Sequence, residues 1–198
     1  MAVELRKGQK VCLEKSAAAS GEILINLNWT QKKRGFFSRN IAPVDLDLGC
    51  LFELKNGAKG CVQALGRNFG SLSQPPYIAL DGDDRTGTSI GGENLRVNGA
   101  MISQIKRILI YTFIYDGAVN WKEADGIVTV KCQRSSAQDI IVRMDEYSTT
   151  QKMCAIALLE NQNDNTFSME KIVRFFDGHK EMDMAFGWNL EWVPASKD

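Results

Sequence analysis

Val44-Asp45-Leu46-Asp47-Leu48-Gly49-Cys50-Leu51-Phe52-Glu53-Leu54 follows Pro43 and alternates with a period of two. On an extended strand Val44, Leu46, Leu48, Cys50, Phe52 and Leu54 share one face, and Asp45, Asp47, Gly49, Leu51 and Glu53 share the other. The first face is a core face. The second places two aspartates side by side, and adjacent like charges destabilise a strand unless something positive lies between them. This stretch therefore reads as a core strand that also carries half of an ion site.

The same period runs through the rest of the chain. Ile23, Ile25, Leu27 and Trp29 point one way from a strand whose other side carries Asn26 and Asn28. Ile105 to Tyr115 is an almost unbroken apolar, β-branched and aromatic run, the pattern of a central strand covered on both sides. Shorter strands are expected at Cys61–Ala64, Tyr77–Leu80, Leu95–Val97, Ile127–Cys132, Asp139–Met144, Met153–Glu160 and Phe167–Phe176, with a hairpin joining Val3–Leu5 to Val11–Leu13 and a closing strand at Trp188–Val193. Only His179–Phe186 has helical spacing, with Asp177-Gly178 before it and Gly187 after it. No linker divides the chain. The expected fold is all-β, a single antiparallel β-sandwich over residues 1–198 with a short C-terminal helix.

The other half of the ion site is sought in Asp81-Gly82-Asp83-Asp84-Arg85-Thr86-Gly87-Thr88-Ser89-Ile90-Gly91-Gly92-Glu93-Asn94, which holds four carboxylates and four glycines against a single arginine. Such a loop is either plain polar surface or a cradle for a hard cation such as Ca²⁺, which takes six to eight oxygen ligands. It is not an EF-hand, because Thr86 stands where that loop requires glycine and Gly92 where it requires glutamate.

Composition excludes several other functions. Lysine plus arginine balance aspartate plus glutamate at 24 each in 198 residues, so no basic face is expected for nucleic acid. Five scattered cysteines form no Cys-x-x-Cys pair, which argues against a disulfide framework or a zinc site. The one histidine, His179, has no nucleophile motif beside it. No phosphate-binding glycine motif occurs, so an enzyme is not expected. The amino terminus lacks a signal-peptide core and no apolar run spans a bilayer, which points to the cytoplasm. Gln31-Lys32-Lys33-Arg34-Gly35-Phe36-Phe37 is read as a loop with folded-back aromatics, with a membrane-surface contact as the alternative.

Taken in order, several of these stretches resemble the TerD family of tellurium-resistance and stress-response proteins. Leu5-Arg6-Lys7-Gly8 is similar to that family's opening Leu-x-Lys-Gly, Val44-Asp45-Leu46-Asp47 to its Phe-Asp-Leu-Asp strand, and Gly82-Asp83-Asp84-Arg85-Thr86-Gly87 to its Gly-Asp-Asn-x-Thr-Gly calcium loop. Phe175-Phe176-Asp177-Gly178-His179-Lys180-Glu181-Met182-Asp183 and Ala185-Phe186-Gly187-Trp188 resemble the TerA-type branch. The resemblance implies a non-enzymatic β-sandwich that binds Ca²⁺ through Asp45, Asp47, Asp83, Asp84 and Glu93 and presents a surface to other proteins of the tellurite-resistance system. The family loop continues more acidic than Thr88-Ser89-Ile90-Gly91-Gly92-Glu93-Asn94, with acidic residues at the positions of Ile90, Gly92 and Asn94. Affinity follows ligand charge, so at most one weakened site is expected. Two further readings stay open: a scaffold whose metal site has decayed, and a metal-dependent hydrolase.

Overall fold

The computed structural model describes residues 5–13, 21–29, 44–83, 91–118, 120–132 and 140–197. Within them two six-stranded antiparallel sheets face each other. The first has strands β1 (Lys10–Cys12), β12 (Thr166–Phe176), β11 (Met153–Gln162), β8 (Ile105–Asp116), β3 (Asp45–Leu54) and β4 (Lys59–Val62), in that spatial order. The second runs β10 (Ile140–Arg143), β9 (Gly126–Cys132), β2 (Glu22–Trp29), β7 (Glu93–Asn98), β6 (Ile78–Leu80) and β5 (Gly70–Ser71). Among the described residues two α-helices are added, a four-residue α1 (Trp121–Ala124) and α2 (His179–Phe186). The sandwich, the core strand at 45–54 and the helix at 179–186 all match their sequence expectation.

Alternation decides which side chains meet between the sheets. Ile23, Ile25, Leu27 and Trp29 of β2 face Leu46, Leu48 and Cys50 of β3 and Ile108 and Ile110 of β8 in one buried cluster. At about 25 cal/mol per Å² of apolar surface removed from water, such a face is the main stabilising term. Asn26 lies on the opposite side of β2 and pairs across to Asn94 of β7 at 2.9 Å.

A second core covers the outer face of the first sheet. Leu51, Leu109, Tyr111, Phe113, Met153 and Ala155 project outward from it and are covered by Met182 of α2 and by Trp188. That cover explains why β3 and β8 are buried on both faces. The expected closing strand at Trp188–Val193 is not formed. Residues 188–197 instead cross the outer face without regular structure, because they are held by side chains rather than by a strand ladder. Lys10–Cys12 pairs with Ser168–Glu170 of β12, and Val3 and Glu4 of the expected opening hairpin lie outside the described residues.

The only histidine belongs to this second core. His179 packs edge-on to Tyr111 and Phe113, at 5.6 and 5.0 Å between ring centroids, and tilted against Trp192 at 4.9 Å. Burial pushes its imidazole down to about 4. The folded chain thus keeps His179 neutral where the unfolded chain, near its ordinary value of about 6.5, takes up a proton. Its contribution to stability is complete above about pH 6.5 and is lost as pH falls towards 4. His179→Phe should therefore lose about 2–3 kcal/mol less than the unmodified protein between pH 7 and pH 4, read from denaturant unfolding at both values.

Candidate metal centre

Asp47, on the outer face of β3, is fully buried beside Asp45. The register with β8 shifts between Asp45 and Leu46, which marks an irregularity where the strand begins. Thr112 of β8 donates to the Asp47 carbonyl oxygen at 2.8 Å and fixes the strand locally. The third carboxylate comes from the other sheet. After β6, Asp81 continues the ladder by donating its N–H to the Asn94 carbonyl, and its side chain is clamped by Arg96, which also holds Glu22. Asp83 follows and turns to β3. Ligand oxygens of Asp45, Asp47 and Asp83 lie within 4.8 Å of one another, the one such group among the described residues.

At the centre of the three carboxylates sits an ammonium. Lys197 Nζ donates to Asp45 Oδ1 and Oδ2 at 3.0 and 2.8 Å and to Asp83 Oδ1 at 2.9 Å. It stands 2.9 Å from Asp47 Oδ1, an ion pair outside hydrogen-bonding geometry, and neither Asp47 carboxylate oxygen has a hydrogen-bond partner. Its side chain is 2 % exposed, and the ring of Tyr115 lies 4.5 Å away. Burial alone would lower the Lys197 pKa, but attraction from Asp47, with hydrogen bonds to Asp45 and Asp83, holds it above the ordinary lysine value. Asp47 is pushed up to about 7, chiefly by burial and further by Asp45 and Asp83, against the opposing pull of Lys197. A carboxyl raised in the folded state favours folding at low pH and loses that advantage as pH rises from about 4 to 7. Its sign is opposite to that of His179.

Lys197 is delivered by a strapped segment. Helix α2 ends at Gly187, whose φ of 68° is the left-handed conformation that closes a helix. Trp188 then donates from Nε1 to the Phe52 carbonyl at 3.0 Å, and the Arg107 guanidinium lies 3.7 Å over its ring. Asp183, buried in α2, accepts from the backbone N–H groups of Asn189 and Leu190 at 2.5 and 2.7 Å and from Trp192 Nε1 at 2.7 Å. Further on, the Gly66 N–H donates to the Ser196 carbonyl at 2.9 Å. The next residue is Lys197.

Of the five residues read as ligands, three converge. Glu93 is buried on the core face of β7, where its Oε2 accepts from the Leu48 N–H at 2.7 Å and ties β7 to β3. Asp84 lies outside the described residues. Lys197 was not anticipated. The crowded aspartates did demand a cation, but 24 lysines and arginines were available and no sequence spacing singles out one 114 residues beyond Asp83.

The donor set suits a hard cation. All three side chains offer carboxylate oxygen, the ammonium marks a position where positive charge is stable, and Asp47 carries two buried oxygens without a hydrogen-bond donor. A divalent ion would bring one more positive charge to this position than Lys197 does.

The TerD domain model matches residues 1–172. This chain belongs to the TerD family. It is 41% identical over 201 residues to the tellurium resistance protein TerA of an Alcaligenes species, an alignment covering 98% of this chain and 58% of that protein. The TerD-family chain described here thus spans well under two thirds of its curated relative. Among solved structures, a homologue of telluride resistance protein TerD from Streptomyces coelicolor A3(2) superimposes with a TM-score of 0.58 at 16% identity, covering 82% of this chain and 94% of that one. A protein of unknown function gives the same TM-score at 13% identity, covering 82% and 93%. At those identities the two structures speak for the fold. The three aspartates of this TerD-family chain all fall inside the matched residues, whereas Lys197 falls beyond them.

Proposed function

We propose that this TerD-family chain is a non-enzymatic, cytoplasmic component of tellurite resistance whose Asp45, Asp47 and Asp83 take a divalent cation, Ca²⁺ in preference to Mg²⁺. The observation that carries this reading is the convergence of three carboxylates from both sheets on one cation position. A bound ion there would tie the start of β3 to the segment after β6, and the surface so fixed is where other proteins of the resistance system dock. Ca²⁺ is preferred because an all-oxygen set in irregular geometry suits its flexible coordination better than the strict octahedron of Mg²⁺. The family resemblance supplies the biological setting. The TerA name belongs to the relative.

Direct thiol chemistry with tellurium compounds is disfavoured at two of the cysteines. Burial pushes the Cys50 and Cys154 thiols well up, away from the reactive thiolate. A lone neutral histidine in an aromatic cluster likewise offers no general base at the carboxylate site.

The test is thermal unfolding after chelation, repeated with Ca²⁺ and with Mg²⁺. A ligand at a hundredfold excess over its Kd adds about 2.7 kcal/mol, equivalent to a rise of roughly 5–10 °C for a chain of this size. The rise should be larger with Ca²⁺ and absent in Asp83→Asn. A second reading is favoured by Lys197 itself: the ammonium replaces the metal outright and the chain is a pure scaffold. Equal melting temperatures under all three conditions would favour that reading.

A further inference from the structure

We propose that Lys197 is a tethered competitor for the cation, so that residues 193–197 gate the Asp45–Asp47–Asp83 site. This rests on the divalent-cation reading above and adds its regulation. The ammonium and a metal ion need the same oxygens: Nζ contacts all three carboxylates at 2.8–3.0 Å and is itself buried, leaving no room for both. Entry of the ion therefore requires that Lys197 leave.

The path by which it leaves is short. Beyond Trp192, the nearest described backbone tie before Lys197 is the Gly66–Ser196 hydrogen bond. Val193, Pro194, Ala195 and Ser196 are exposed. By contrast, the hinge side is firmly built from Trp188, Asp183 and Trp192. Residues 193–197 can thus swing away while 188–192 stay docked on the second core. When a binding-competent state is only partly populated, the apparent affinity falls by that fraction. Reciprocally, whatever holds residues 193–197 away from the site raises cation affinity by the same factor that the cation raises release.

The deciding experiment is calorimetric titration with Ca²⁺ alone, comparing the unmodified chain with Lys197→Gln, together with hydrogen–deuterium exchange of residues 193–197 with and without Ca²⁺. The expected results are at least a tenfold tighter Kd for Lys197→Gln and faster exchange of 193–197 in the unmodified chain when Ca²⁺ is added, as the competing state is removed or displaced. Equal affinities for the two proteins, or exchange that slows on Ca²⁺ addition, would overturn the gate and leave the cation site standing. If Lys197→Gln folds but takes up no Ca²⁺ at millimolar concentration, the cation reading itself falls, and the gate with it. Should Lys197→Gln fail to fold, Ser196→Pro serves instead. It keeps the ammonium but strains its approach, so affinity should tighten by a few-fold, and an unchanged affinity would overturn the gate.

Discussion

Trp188→Ala is expected to destabilise the protein by about 3–5 kcal/mol, the usual cost of emptying a buried tryptophan site. For a chain of this length that corresponds to a fall of roughly 6–20 °C in melting temperature. The indole is buried to 1 % exposure against the outer face of the first sheet, where it fills the space above Leu51 and Leu109. Truncation would also leave the Phe52 carbonyl without the Nε1 donor and the Arg107 guanidinium without the ring beneath it. Differential scanning calorimetry on the two proteins measures the loss. A difference below about 1 kcal/mol would mean that residues 188–192 are not docked on the second core in solution.

Gly92→Asp should be almost as damaging, although the family pattern has an acidic residue at this position. Gly92 has φ of 61°, and a Cβ built on it would stand 2.2 Å from the Leu27 carbonyl oxygen and 3.3 Å from Asn28 Cα. Any side chain must therefore push β2 away from β7 while also holding a left-handed backbone, which together cost roughly 2–5 kcal/mol. Gly92→Ala should lose a similar amount, since the clash is with the Cβ and not with the charge. Circular-dichroism melts of both variants provide the comparison. An aspartate variant that melts with the unmodified chain and binds an additional Ca²⁺ would refute this account of the missing charge. Asn94, another of the three departures from the acidic pattern, is explained differently: its side chain lies on the opposite face of β7 from Glu93 and is joined to Asn26, while Ile90 lies outside the described residues.

Period-two patterning was enough to place the sandwich. Strands such as 22–29, 45–54 and 105–116 are long, strongly alternating or doubly apolar, and their burial is dictated by their own sequence. The segment after Gly187 was misread for the same reason. Trp188, Leu190 and Trp192 alternate as a strand would, yet their fate is decided by the Asp183 carboxylate and the hydrophobic shelf around Leu51, neither of which is local. The aspartates Asp45, Asp47 and Asp83 were legible because crowded charge is conspicuous in a sequence. Glu93 was read only as a loop carboxylate and ligand; its burial and its tie to a backbone N–H of the facing sheet depend on a partner that is not local. Lys197 was not legible at all. A single lysine carries no pattern, and its meaning arises only from the path of the chain across the sheet.

The family match ends at residue 172, within β12, while the cation that sits among Asp45, Asp47 and Asp83 is residue 197. A modular boundary drawn by similarity thus cuts through an ion pair. A fragment trimmed to residues 1–172 would lose the Lys197 counter-charge together with the Met182 and Trp188 cover of the outer face, so its appetite for cations would describe a different molecule from the one that carries its own counter-charge.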